Sequence, residues 1–235
     1  GDNSVTVNTP TKLIYTGQPQ NLVTNGVSTG GRVYYAISES GPWTTEFPQS
    51  TDAGDTVIWY KVDGGADYED VPAASRIVSI DKVDISDLPD SAFGQIAEHV
   101  YDKTQYRPNP SVTYGGQELV ETADIVYTWG ENVHVVPSEG QSNIVTITAV
   151  ESGNFKGSKT LSVTITPKPL TVKISNKTEE VEKYPPTDML TKPIEGTDYI
   201  VEGFCNGDTF KGDVVLKYDN SDPAFLDTPL KTAGE

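Results

Sequence analysis

Leu161-Ser162-Val163-Thr164-Ile165-Thr166 alternates apolar and hydroxylic residues without a break. Successive side chains of an extended chain point to opposite sides, so Leu161, Val163 and Ile165 share a face for a core while Ser162, Thr164 and Thr166 meet water. That is a half-buried strand of the kind antiparallel sheets use. Upstream, Ile77-Val78-Ser79-Ile80 ends 85 positions before Ile165 with a similar run. Two further anchors keep step with it. Tyr15 of Leu13-Ile14-Tyr15-Thr16-Gly17 recurs 86 positions on as Tyr101 of His99-Val100-Tyr101-Asp102-Lys103. Tyr68 of Ala66-Asp67-Tyr68-Glu69-Asp70 recurs 87 positions on as Phe155 of Gly153-Asn154-Phe155-Lys156-Gly157. A near-constant period at several anchors predicts tandem copies of one folding unit.

The period divides the 235 residues into an expected module over 1–82, a second over 83–168 and a third, incomplete, over 169–235. In the first, 4–8 and 12–16 read as short edge strands. Arg32-Val33-Tyr34-Tyr35-Ala36-Ile37-Ser38 places Val33, Tyr35 and Ile37 on a core face. Thr56-Val57-Ile58-Trp59-Tyr60-Lys61-Val62 is apolar on both faces, as a central strand should be, with Trp59 as its largest core residue. In the second module, strands are expected near 111–114 and 118–120 around a Gly115-Gly116 hairpin turn, and over 124–129 and 144–150. The polar stretch 81–90 reads as a solvated linker or a short connecting strand. Pro167-Lys168-Pro169 stiffens the next boundary, because proline cannot continue a ladder. Leu170, Val172 and Ile174 then open a third module with the same alternation, followed by strands near 198–204 and 213–218.

Composition agrees with an all-β chain: 21 Gly, 16 Pro and 12 Tyr suit short strands and tight turns. The net charge is −17, spread as −5, −6 and −6 over the three expected modules. Such a surface lacks the basic patch that phosphate backbones and anionic lipid require, which argues against nucleic-acid partners and membrane-surface binding. No run of 18 apolar residues is present, so no direct membrane insertion is expected. Cys205 is the only cysteine, which excludes an intrachain disulfide and suits a small buried apolar residue.

These residues resemble the bacterial immunoglobulin-like repeats, including the MBG type, of large surface proteins and adhesins. The likeness in the first module rests on Leu13-Ile14-Tyr15-Thr16-Gly17-Gln18, on the run from Asp52-Ala53-Gly54-Asp55 through Val62, and on Asp67-Tyr68-Glu69-Asp70. In the second it rests on Tyr101-Asp102-Lys103, Asp124-Ile125-Val126-Tyr127 and Gly153-Asn154-Phe155-Lys156-Gly157. The third looks like another subtype, through Pro169-Leu170-Thr171-Val172, Lys177-Thr178 and Gly203-Phe204-Cys205-Asn206-Gly207-Asp208. The resemblance implies tandem small immunoglobulin-like β-sandwich modules in an elongated array, a monomer belonging to a bacterial cell-surface or secreted protein. It brings no catalytic residue, and Tyr15 and Tyr68 are expected to pack at strand ends.

Several constellations bear on chemistry. Gly26-Val27-Ser28-Thr29-Gly30 fits the G-x-S-x-G pattern of a hydrolase elbow, but a strand and not a helix follows, so it reads as a loop. His99 and His134 lack metal-ligand spacing. Asp81, Asp84, Asp87 and Asp90 recur every third residue at the first boundary, where calcium would brace two modules, against the alternative of a self-repelling spacer. Trp43, after Gly41-Pro42, and Trp129, before Gly130, are candidate platforms for sugar rings. No cofactor is implied and no enzyme is expected. The function expected is a stalk or adhesion region meeting a host or matrix protein or a glycan, with a carbohydrate-binding accessory region of an extracellular enzyme as the alternative.

Overall fold

A computed structural model describes residues 1–174 and 193–210. The chain is all-β: strands dominate the described residues, and the helical elements among them are two short 3₁₀ turns, Ile85–Asp87 and Asp90–Ala92. It divides into two compact units. One comprises Gly1–Ala97, Arg107–Asn132 and Glu139–Val163, and the other Glu98–Tyr106, Val133–Ser138 and Thr164–Glu235.

The first unit holds two hydrophobic clusters. Around the earlier one, the ten-residue strand Gly54–Asp63 lies between Arg32–Ala36 and Val71–Asp81, both antiparallel to it, and Leu13–Ile14 joins the far side in parallel. Its central place explains why it is apolar on both faces. Tyr35, Ile58, Val78 and Ile80 are buried with Val7, Leu22 and Val23 from the opposing segments. Trp59 is therefore not the largest core residue, as its strand alone suggested. Ile58, one position earlier, takes the core face at 0% exposure, and period 2 turns Trp59 to the other side, half-buried. Ile37 likewise misses the core: the strand ends at Ala36 and Ile37 is 66% exposed.

The later cluster sits on the antiparallel sheet of Ile125–Trp129, Ile144–Ala149 and Ser158–Ser162. Val145, Ile147 and Ala149 are buried at period 2 along the central strand. The Thr113–Tyr114 and Gln117–Glu118 strands form the expected hairpin, with Gly115 at φ +59° and Gly116 at φ +81°, the paired positive values that a two-residue primed turn requires. Residues 81–90 are not a solvated spacer. Val83–Asp84 is a short strand parallel to Phe155–Lys156, and Ile85, fully buried, joins Val83, Phe93, Ile125 and Phe155 in the cluster. Two apolar side chains among the aspartates decide this, because burying them outweighs the extension that charge favours.

The 161–166 stretch keeps its alternating burial but is not the single antiparallel strand expected: Ser158–Ser162 ends at 162, and Ile165–Thr166 is a separate strand in another sheet, paired in parallel. Val163 and Ile165 are buried, Leu161 is half-buried, and Ser162 and Thr164 are exposed. In the second unit, His99–Val100 runs parallel to Ile165–Thr166, and Tyr101 N donates to Thr166 O at 2.9 Å. Thr171–Ile174 pairs antiparallel with Tyr199–Glu202. The face expected to be core there is open: Leu170, Val172 and Ile174 are all exposed, while Ile165, Tyr199 and Cys205 are buried among the described residues. The strand expected near 213–218 and the Lys177-Thr178 motif lie outside the described residues. Among the described residues, no helix is long and apolar enough to cross a membrane.

Candidate functional site

Trp43 is placed by a bridge between two chain segments. Tyr35 N donates to Thr44 O at 2.7 Å and Thr44 N to Tyr35 O at 2.9 Å, which holds the segment of half-buried Trp43 beside the strand Arg32–Ala36. On the outer face of that sheet the register brings Tyr34 opposite Lys61, and Trp59 between Ala36 and Ser75. The Lys61 ammonium stands 4.6 Å from the centre of the Trp43 ring, a cation–π contact. Val57 and Ile77, paired across the sheet, extend the face and are 42% and 67% exposed. The result is a half-buried aromatic surface carrying a cation, with Ser75 exposed and Ala36 buried beside Trp59. Trp59 belongs to it, which no residue pattern signals, because a strand apolar on both sides does not reveal which side is buried.

Trp129 lies on a different sheet and is engaged locally. Its indole N–H donates to Pro108 O at 2.9 Å, and Tyr127, two residues earlier on the same face, donates its hydroxyl to Pro110 O at 2.7 Å. The two rings stack 6.4 Å apart, and Arg107 lies 5.5 Å from the indole centre. Together they fasten 107–110 to the sheet. Burial pushes the Tyr127 phenol above its usual range, and the nearby Glu121 and Glu118 carboxylates add to the shift.

The four aspartates are dispersed into separate tasks. Asp84 Oδ1 accepts from Ser86 N at 3.0 Å and Ser86 Oγ at 2.7 Å, capping the 3₁₀ turn, and these bonds hold its carboxyl below the usual range. Asp90 Oδ1 lies 3.4 Å from Lys159 Nζ. Asp81 uses its backbone carbonyl to accept from Tyr15 N at 2.9 Å, and Asp87 is exposed. No three His, Cys, Asp or Glu residues gather into a metal-holding group among the described residues.

Ser28 of the G-x-S-x-G stretch ends the strand Asn25–Ser28, and its hydroxyl donates to Gly31 O at 3.3 Å. Asn3 clamps the turn that follows, donating to Gly30 O at 2.8 Å and accepting from Gly30 N at 3.0 Å. The Tyr68 ring lies so close to Gly30 that a Cβ there would fall 2.3 Å from it. His99 stacks on Tyr106 at 4.6 Å and places Nε2 3.3 Å from Asp102 Oδ1. The Asp102 carboxyl is pulled down to about 2, chiefly by the Thr104 hydroxyl and amide that donate to it, with His99 adding less.

The densest set of specific contacts in the first unit joins its two clusters. Tyr15 packs against both. Its ring stacks on Tyr114 at 6.2 Å and meets Phe155 edge-on at 5.5 Å, and Tyr114 meets Phe155 edge-on at 5.7 Å. Asn154 Oδ1 accepts from Ala53 N at 2.8 Å while its Nδ2 donates to Asp52 Oδ1 at 3.1 Å. The Lys82 ammonium donates to Glu151 O. This arrangement can transmit load and hold an angle; it contains no nucleophile paired with a base. Compared with known proteins, the chain matches no family model and no curated protein.

Proposed function

We propose that the chain is a non-catalytic stalk or adhesion region of a bacterial cell-surface or secreted protein, made of tandem immunoglobulin-like modules of the MBG kind. The observation that carries this reading is the seam of Tyr15, Tyr114 and Phe155 with Asn154 beside it, which joins successive hydrophobic clusters by packing and hydrogen bonds where a free tether would leave them to swivel. A second support is a recurring pairing. Leu13–Ile14 lies parallel to the end of Val71–Asp81 with Tyr15 N donating to Asp81 O. His99–Val100 lies parallel to Ile165–Thr166 with Tyr101 N donating to Thr166 O. Antibodies raised against the chain are expected to label intact cells of the source organism. Labelling only after permeabilisation rejects the reading.

The outer face of Tyr34, Trp43 and Trp59 favours a second reading, a carbohydrate-binding accessory region, because half-exposed aromatic surface on a sheet suits a sugar ring. Affinity electrophoresis through gels containing β-glucan, xylan or chitin derivatives tests it. Retardation that disappears in Trp43→Ala supports a sugar site, and unretarded migration in all three gels rejects it.

A further inference from the structure

The second unit contains a cavity of about 490 Å³, within the size range of small-molecule sites. Its walls come from segments far apart in sequence. Tyr101 and His134 supply two rings stacked 5.9 Å apart, and Phe204, Leu170 and Val135 supply apolar surface. Among the described residues, Lys168 is the cation of this lining.

Among the described lysines of this unit, Lys168 stands apart by its commitments. Lys103 Nζ lies 2.5 Å from Asp208 Oδ1, and that carboxylate holds the ammonium above its usual range. Lys173 Nζ lies 2.5 Å from Glu202 Oε1. Lys168 instead approaches the sulfur of Cys205 at 3.7 Å, a weak acceptor for an ammonium. The carboxylate that the described residues place on the cavity wall, Asp208, already has its charge met by Lys103. An anion entering the cavity therefore finds a cation whose strong hydrogen bonds are not spent on a carboxylate, and the neighbouring negative charge is compensated.

We propose that this cavity binds a small aromatic carboxylate, with the carboxylate on Lys168 Nζ and the ring against Tyr101, His134 and Phe204. The volume suits one or two fused rings, and the lining combines apolar and aromatic surface with a single orienting charge, which is how small-ligand sites obtain both affinity and direction. This goes beyond a stalk or adhesion role, which needs no small-molecule site.

The test uses the full chain, isotope-labelled, titrated with 2-naphthoate and separately with neutral 2-naphthamide by two-dimensional NMR. Saturable shifts at Tyr101, His134 and Phe204 are expected with naphthoate. The amide, and naphthoate with Lys168→Gln, should each bind at least about tenfold more weakly, the loss of one charge-assisted hydrogen bond. Val135→Trp, a filling change at a residue 42% exposed, should abolish binding while the rest of the spectrum stays native. Lys173→Gln should bind as the parent does. Absence of saturable shifts with naphthoate, equal affinity for the amide, or undiminished binding in Lys168→Gln overturns the proposal.

Discussion

The Tyr114 hydroxyl donates to the carbonyl oxygen of Tyr15 across 2.7 Å, 99 residues away in sequence, while the two rings stack. One side chain thereby contributes apolar contact and a directional bond to the same seam. Tyr114→Phe keeps the ring and deletes the bond, at an expected cost of about 1 kcal/mol. Phe155→Ala removes a buried ring that touches both tyrosines and should cost about 3 to 4 kcal/mol. Urea denaturation measures both losses. Calorimetry should also show that Phe155→Ala lowers the melting temperature of both clusters of the first unit, since Tyr15 belongs to each.

Ile58 and Trp59 are adjacent and face opposite ways. Ile58→Ala empties a fully buried site and should cost about 3 kcal/mol, whereas Trp59→Ala on the half-buried outer face should cost about 1 kcal/mol despite the larger side chain. Equilibrium unfolding of the two variants ranks them directly.

Gly157 has a positive φ of +79°, and a Cβ there would fall 2.2 Å from Asp84 Oδ1. Gly157→Ala is expected to displace the carboxylate that caps the Ile85–Asp87 turn and to destabilise the protein more than Gly65→Ala. Gly65 also has a positive φ, +66°, but open space around it. Thermal melts of the pair separate the steric effect from backbone strain alone.

Asp102 supplies a pH dependence with a defined sign. Its folded value of about 2 lies below the ordinary aspartate value of about 3.9, so its bonds to Thr104 stabilise the fold above roughly pH 4. That contribution fades as pH falls from about 4 through 2. Asp102→Asn should flatten this part of the stability profile, read from melting temperature between pH 5 and pH 2.

Strand identity was largely legible because period 2 is a strong signal. The 144–150 and 124–129 strands and the Gly115-Gly116 turn appear close to where alternation and turn chemistry put them, whereas 161–166 alternates in burial but breaks at 163–164 into two strands of different sheets, which a period of two does not reveal. Facing was legible only where one side is polar. The 56–62 run offers apolar residues on both sides, and tertiary packing alone decided that Ile58 goes in and Trp59 goes out. Residues 81–90 left linker and short connecting strand both open because four aspartates dominate the composition, while the residues that decide for the strand are Val83 and Ile85, whose partner Phe155 lies far along the chain. Trp129, expected in its strand and as a candidate sugar platform, is engaged by Pro108 O, a backbone acceptor that no side-chain pattern announces.

The pairing of Val83 with Phe155 spans 72 positions and carries a consequence for biosynthesis. As the polypeptide emerges, residues 5–81 have all the partners of the earlier cluster at hand, yet Tyr15 must wait with one flank wet until Tyr114 and Phe155 have been made. A nascent chain stalled before residue 155 thus holds a finished first cluster beside an unfilled socket, and a ribosome-bound intermediate of that length is where a holding chaperone would have the most to grip.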